Sequence, residues 1–220
     1  MTDKKEIPYK QELLRKGIHL FSLSIPVIYI FVTREFALFV LVPLALIAIT
    51  IDLLSQRRNI VRKWLFKIFG RILRSHEING GLVLNGASWV LISAVICVFV
   101  FPKSIFVPAF SILIISDSTA ALIGRKFGKT GFMEKSLEGS IAFFISAILV
   151  IFVLGYVLQM PWTFLVVGSV AAFFGTIAEA SAKTLKVDDN LSIPVSIGII
   201  MWIGDAIMYN LNQISFITLL

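Results

Sequence analysis

Between Ser116 and Ser140 the chain carries one aspartate, four basic residues, two glutamates and four glycines, wedged between two hydrophobic stretches. That mixture, at such a place, points to water-soluble and phosphate-directed chemistry at a membrane surface. Asp117 is its sharpest point: it lies about two helical turns, roughly 12 Å at ~1.5 Å per residue, before the basic cluster that should mark the interface. A carboxylate at that depth costs a few kcal/mol unless it has a partner, so function is its default reading. Its i+4 neighbour is Ala121, and Ala120 and Gly124 at i+3 and i+7 are small. They leave room beside the carboxylate for a ligand or for a closely packed helix.

Other carboxylates end near the same face: Glu138, Glu179, Asp188 and Asp189. Magnesium bound with a nucleotide needs little more than one or two carboxylates plus the phosphates themselves. Glu179 and Lys183 stand i, i+4, the spacing of a simple helical ion pair, which competes with a role at the site. Helix starts add anion affinity through free N–H groups and the positive end of the helix dipole. The sequence offers three: Asn79-Gly80-Gly81, Glu138-Gly139-Ser140 after Lys135-Ser136, and Asn190-Leu191-Ser192-Ile193-Pro194. Arg125, Lys126, Lys129 and Lys135 serve equally as individual phosphate contacts or as topology signals. Gly124-Arg125-Lys126-Phe127-Gly128-Lys129-Thr130 is no Walker loop, because it has three residues between its glycines and follows a helix C-terminus. His19 could titrate, as histidines do near neutral pH, or simply sit as a polar interfacial residue. Asp205, deep in the last hydrophobic run, reads equally as a structural polar contact.

The elements that must position these groups are helices in lipid. The chain has 220 residues, 58% of them hydrophobic, and a mean hydropathy of +0.93, well above the roughly half-apolar usage of soluble domains. Its uncharged runs of ~17 to 21 residues suit helices crossing a ~30 Å hydrocarbon core rather than barrel strands. The expected fold is all-α: a single integral membrane domain, 1–220, with seven transmembrane helices near 18–33, 36–54, 82–101, 104–124, 139–158, 162–182 and 193–211. Eighteen lysines and arginines then fall on one set of alternate segments and two on the other. The positive-inside rule therefore predicts an inside N-terminus, four helix N-termini facing the cytosol, and an active site on the cytoplasmic face. Residues 57–74 alternate apolar and basic positions at helical spacing, which predicts an interfacial amphipathic helix against anionic headgroups, serving as anchor or as a recruiter of anionic lipid or nucleotide. The net charge of +7 is thus assigned to the membrane surface, and no nucleic acid partner is expected. Cys97 is the single cysteine, so no disulfide framework exists. Ionisable groups cluster toward one face instead of lining a midplane path, which weighs against a transporter.

With these residues in order, the chain resembles the polyprenol kinase family, which includes dolichol kinase, phytol kinase and the CTP-dependent diacylglycerol kinase and is distantly similar to phosphatidate cytidylyltransferase. The resemblance rests on Glu12-Leu13-Leu14-Arg15-Lys16-Gly17-Ile18-His19, Asn85-Gly86-Ala87, Asp117-x-x-Ala120-x-x-x-Gly124-x-x-x-Gly128, Lys135-Ser136-x-Glu138-Gly139-Ser140 and Asp189-Asn190-Leu191-Ser192-Ile193-Pro194. The chain departs from the dolichol kinase pattern in carrying Glu134-Lys135-Ser136 where that enzyme has Lys-Lys-Thr after a longer spacer. The resemblance implies phosphoryl transfer from CTP, with Mg²⁺, to a membrane lipid alcohol: a polyprenol, a phytol-like alcohol or diacylglycerol. It implies nucleotide contacts for Asp117, Gly124, Gly128, Lys135, Ser136, Glu138 and Gly139; catalytic roles are expected for Asp117, Glu138 and Lys135, and further nucleotide contacts from Arg125, Lys129, Asn85 and Asn190. Asp117, Glu138 and Asp189 would hold the metal, while Arg15, Lys16 and His19 would touch phosphate or the lipid head. Cytidylyl transfer to a phosphorylated lipid and small-molecule transport are the alternatives.

Overall fold

The computed structural model describes residues 9–57, 84–182, 184, 187–211 and 213–220. The basic stretch 58–74, expected to form an interfacial helix, lies outside the described residues, as does Lys183. In chain order the elements are α1 (Tyr9–Phe21), α2 (Ser24–Phe31), α3 (Arg34–Arg57), α4 (Gly86–Val100), α5 (Lys103–Phe127), β1 (Gly131–Phe132), β2 (Lys135–Ser136), α6 (Leu137–Val157), α7 (Trp162–Ser181) and α8 (Asp189–Asn210), followed by a 3₁₀ turn at Ile217–Leu219. The fold is all-α apart from one two-residue-stranded antiparallel hairpin, in which Gly131 pairs with Ser136 and Phe132 with Lys135.

Among the described residues six helical stretches are long and apolar enough to cross a membrane, the first being Glu12–Phe31 taken across α1 and α2. The seventh expected span, 82–101, is the shorter helix α4. At 15 residues it extends only about 22 Å at ~1.5 Å per residue. Among the described residues, then, six stretches have full spanning length and α4 is a shorter seventh apolar helix.

The first span departs most from expectation. Helix begins at Tyr9, not near 18, and it breaks at Ser22-Leu23 before resuming as α2. The break has a local cause. Pro26 has no N–H to offer Ser22 and its ring crowds that carbonyl, so Ser22 O takes the N–H of Ile25 at 3.0 Å instead. The last expected span, 193–211, likewise starts earlier, at Asp189, because Asp188 caps the helix by accepting from the N–H of Asn190 at 3.0 Å.

Helix α5 is the hub. It packs against α1, α2, α6 and α8 and against the C-terminal 3₁₀ turn, and most of its residues are buried. Its first half forms the apolar end of the molecule. There Phe106 stacks on Phe110 at 5.0 Å and meets Tyr29 edge-on at 5.2 Å. Gly168 and Gly175 of α7, small positions that could have served contacts within or between chains, pack within this chain: a Cβ on them would come 2.7 Å from Ile151 and 2.8 Å from Ile197. Asp205 resolves in favour of a structural contact. It accepts from Ser215 Oγ and from the N–H of Phe216, each at 2.7 Å, folding the C-terminal tail over this end. Ser104 and Thr163 bind the same tail through the carbonyls of Ile217 and Ile214. The opposite end, where α5 and α7 finish and α6 and α8 begin, holds the charged groups.

Candidate functional site

Asp117 lies in the third-last turn of α5, and 5% of its surface is exposed. Its partners come from α1, which runs along α5. The Lys16 ammonium donates to Asp117 Oδ2, and His19 Nε2 stands 3.7 Å from the same oxygen. Lys16 and His19 are one helical turn apart and so share a face. One turn before Lys16, Glu12 is buried and chelated by Arg15, whose Nη2 and Nε lie 2.5 and 3.2 Å from the two carboxylate oxygens. Arg125, two turns beyond Asp117 on α5, closes on Glu12 at 3.6 Å. Helix α1 is thus held to α5 by two charged rungs, Glu12 with Arg125 and Lys16 with Asp117. This is why the helix extends back to Tyr9: its polar first half is paired rather than solvated.

A second charged group sits on the other side of α5. The β1–β2 hairpin delivers Lys135, whose ammonium is 2.7 Å from Glu179 Oε1 and 3.7 Å from Asp189 Oδ2. The hairpin is pinned at several points. The Glu134 N–H donates to Ala180 O at 3.3 Å, Thr184 Oγ1 donates to Glu134 Oε1 at 2.6 Å, and the Leu137 N–H returns to Thr130 O at 2.9 Å. Its two-residue turn places Met133 at φ 51°, the left-handed region that a side chain rarely adopts. Burial opposes the charge on Lys135, but Glu179, Asp189 and Asp117 together outweigh it and push its pKa up. Lys135 is therefore a fixed cation facing carboxylates from three helices, α5, α7 and α8.

The glycines expected to admit phosphate form a helix seam. A Cβ on Gly124 would come 2.8 Å from Ser136 Oγ, and one on Gly139 would come 3.0 Å from Ala120 O. At Gly128 an added Cβ would meet Gly124 O at 2.2 Å. The room beside Asp117 on its Ala120 and Gly124 side is occupied by the start of α6. Ser136 caps that helix by accepting from the Gly139 N–H at 3.2 Å. Glu138 turns toward the hairpin loop, its two oxygens receiving the Thr130 N–H at 3.1 and 3.4 Å.

The two asparagines assigned to nucleotide also have local partners. Asn85 Oδ1 caps α4 through the Ser88 N–H at 2.9 Å, and its own N–H and Nδ2 donate to Asp52 at 2.9 and 2.5 Å. Ser88 Oγ completes that node on Asp52 at 2.7 Å. Asn190 Nδ2 donates to Asp188 Oδ1 at 2.7 Å. Lys129 is exposed on the loop after α5.

The structure thus gathers Asp117, Lys16, His19, Lys135 and Asp189 at one end of the bundle, with Arg15 and Arg125 tied to Glu12 beside them. Glu12 enters the sequence reading only within a motif; Glu179, one of the carboxylates expected near this face with Lys183 as a competing i+4 partner, is paired in the structure with Lys135. Among the described residues no three His, Cys, Asp or Glu side chains converge at metal-ligand distance. The donor set nevertheless suits a hydrated divalent cation. Glu179 Oε2 is buried with no hydrogen-bond partner, and magnesium carried with a nucleotide needs only one or two protein carboxylates.

Fold and site together define an all-α chain of membrane-spanning helices with a buried, cation-paired aspartate where four helix ends meet. It belongs to the same family as the uncharacterized protein RP860 of Rickettsia prowazekii, with which it is 34% identical over 189 residues, covering 84% of this chain and 90% of that protein. It is also similar to the CTP-dependent diacylglycerol kinase 1 of Schizosaccharomyces pombe, 31% identical over 145 residues, or 59% of this chain and 63% of the kinase. That match spans less than two thirds of the kinase. No protein-family model matches the chain, and no solved structure matches it.

Proposed function

We propose that the protein is a CTP-dependent lipid kinase that transfers the γ-phosphoryl group to the hydroxyl of a membrane lipid alcohol, a polyprenol-type alcohol or diacylglycerol, at the cytoplasmic face. The observation that carries this reading is Asp117, buried and ion-paired at a junction of helix ends, with cations from α1 and from the hairpin on either side. Similarity to a CTP-dependent diacylglycerol kinase supports the nucleotide and the acceptor class. Phosphoryl transfer asks a protein mainly for positioning and for neutralisation of charge on the phosphate oxygens. Bound with CTP, Mg²⁺ would supply part of that neutralisation, with Asp117 and Asp189 as its carboxylates, while Glu138, expected as a third, is turned toward the Thr130 N–H of the hairpin loop.

The chain's own groups supply the rest. Lys135 and Arg125 face the phosphates, with Lys129 at the exposed rim. Arg15, Lys16 and His19 hold the phosphate or the lipid head, and Asp117 serves as metal ligand or orients the acceptor hydroxyl. The N–H groups that open α6 and α8, around Gly139 and Asn190, are the anion-seeking helix ends. Gly124, Gly128 and Ser136 set how closely α6 can approach α5, and Asn85 fixes the start of α4 through Asp52. The test is to incubate purified protein in lipid nanodiscs with each γ-labelled NTP and a panel of lipid alcohols. Labelled lipid with CTP and release of CDP are expected. Release of diphosphate with a CMP-lipid product would instead identify a cytidylyltransferase, and no nucleotide turnover with any lipid would refute the assignment.

A further inference from the structure

We propose that Glu179 and Asp189 form a divalent-cation site whose resting occupant is the Lys135 ammonium, so that metal binding and release of Lys135 toward phosphate are one exchange. This rests on the reading of the pocket as a phosphoryl-transfer site, and it adds Glu179 to that site and couples the roles of Lys135 and Asp189. Lys135 Nζ lies between the two carboxylates, 2.7 Å from Glu179 Oε1 and 3.7 Å from Asp189 Oδ2. Glu179 is the more telling of the pair. Its side chain is 3% exposed, one oxygen receives Lys135, and the other is buried with no donor at all.

A buried carboxylate oxygen without a donor is costly, because its desolvation is not offset by a hydrogen bond. It is explained by an alternative occupant, a hydrated cation that satisfies both oxygens where the ammonium reaches only Oε1. Neighbouring cations do not fill that place. Lys16 donates to Asp117, and the two guanidinium donors of Arg15 are on Glu12. Hydrated magnesium fits the spacing, since it keeps several waters and can take one carboxylate directly and a second through water. When it enters, the ammonium loses both partners. The hairpin then leaves Lys135 with a flexible four-carbon stem and a compact charge beside the incoming phosphate.

The experiment measures Mn²⁺ binding by electron paramagnetic resonance on purified protein without nucleotide or lipid, so its outcome does not depend on kinase activity. Lys135→Met should raise Mn²⁺ affinity about tenfold by vacating the site, and Lys135→Arg, which keeps a cation there, should leave it unchanged. Adding Glu179→Gln to Lys135→Met should abolish the gain, with Asp189→Asn in the same background weakening it. Mn²⁺ affinity that is the same in the wild type and in Lys135→Met, or a gain that survives Glu179→Gln, would overturn the proposal. Should Lys135→Met prove unfolded by size exclusion, Glu179→Gln in the otherwise native chain decides: a several-fold loss of Mn²⁺ affinity supports the site, and unchanged affinity removes it. Kinase activity without the Mn²⁺ response, or the response without kinase activity, would separate this proposal from the assignment of function.

Discussion

Removing either partner of the Lys16–Asp117 pair should cost more than removing both. Both side chains are almost wholly buried, at 4% and 7% exposure, and they join α1 to the hub helix. Lys16→Met leaves Asp117 with the His19 ring at 3.7 Å as its nearest described partner, and Asp117→Asn leaves a buried ammonium facing an amide. Breaking a buried pair by removing one charge costs about 3–5 kcal/mol, whereas replacing both charges by neutral groups is often close to neutral. At the low end of that range Lys16→Met and Asp117→Asn each cost ~3 kcal/mol, and the double variant about 1 kcal/mol. The coupling energy would then be about 5 kcal/mol, beyond the ~0.5–3 kcal/mol that contacting residues usually show. Thermal unfolding in detergent reads this directly. At ~2–4 °C per kcal/mol for a chain of this size, each single variant should lose about 6–12 °C and the double variant only a few degrees. Additive losses in the double variant would show that the two charges do not sustain one another, and the electrostatic account of the site would fall. The Asp117→Asn variant should in addition lose phosphate transfer at temperatures where it is folded.

Gly128→Ala should cost about 1–3 kcal/mol, because the new Cβ would sit 2.2 Å from a backbone oxygen that cannot swing away; a lowered melting temperature checks it, and an unchanged one would refute the seam. Lys135 has its pKa raised by the surrounding carboxylates, so the stability it contributes is fully present below its unfolded pKa of ~10.4 and is lost only as pH rises through the higher folded value. The stability difference between the wild type and Lys135→Arg, which keeps a cation beside the carboxylates, should therefore stay flat between pH 6 and pH 9, and a slope in that window would contradict the assignment. Asp205→Ala should free the C-terminal tail from its two hydrogen bonds, seen as new limited-proteolysis cleavage after Leu211 with little change at the opposite, charged end.

Much of the architecture is legible in the sequence because lipid forces it: a spanning segment must satisfy every backbone group internally, so long apolar runs become helices. The spans expected at 104–124, 139–158 and 162–182 differ from α5, α6 and α7 by three residues or fewer at each end. What was not legible depends on partners far away in the chain. Glu12, Arg15 and Lys16 look like a solvated, topology-setting cluster in a local window, yet two of them answer residues of α5 more than a hundred positions later. Glu179 had a plausible local partner at i+4, and no local pattern could set that against Lys135, 44 residues upstream. The same blindness applies to small residues. Ala120 and Gly124 signalled space beside Asp117 without saying whether ligand or helix would use it, and the start of α6 does.

One consequence of that seam reaches the chemistry. Because Gly124, Gly128 and Gly139 let α6 close tightly on α5, the link between those helices has to be short and steep, and the hairpin with its left-handed Met133 is what fits. The hairpin fixes Lys135 against α7 and α8, while α1 fixes Lys16 against α5 from the other side. Two cations thereby flank a buried aspartate without either being mounted on its helix. A chain that placed the same charges on α5 itself would gain them locally, through i, i+4 pairs worth only a few tenths of a kcal/mol, and they would move with the aspartate. Mounted on separate elements, they are positioned independently of it. This arrangement explains why the glycines matter to the site even where they touch no ligand.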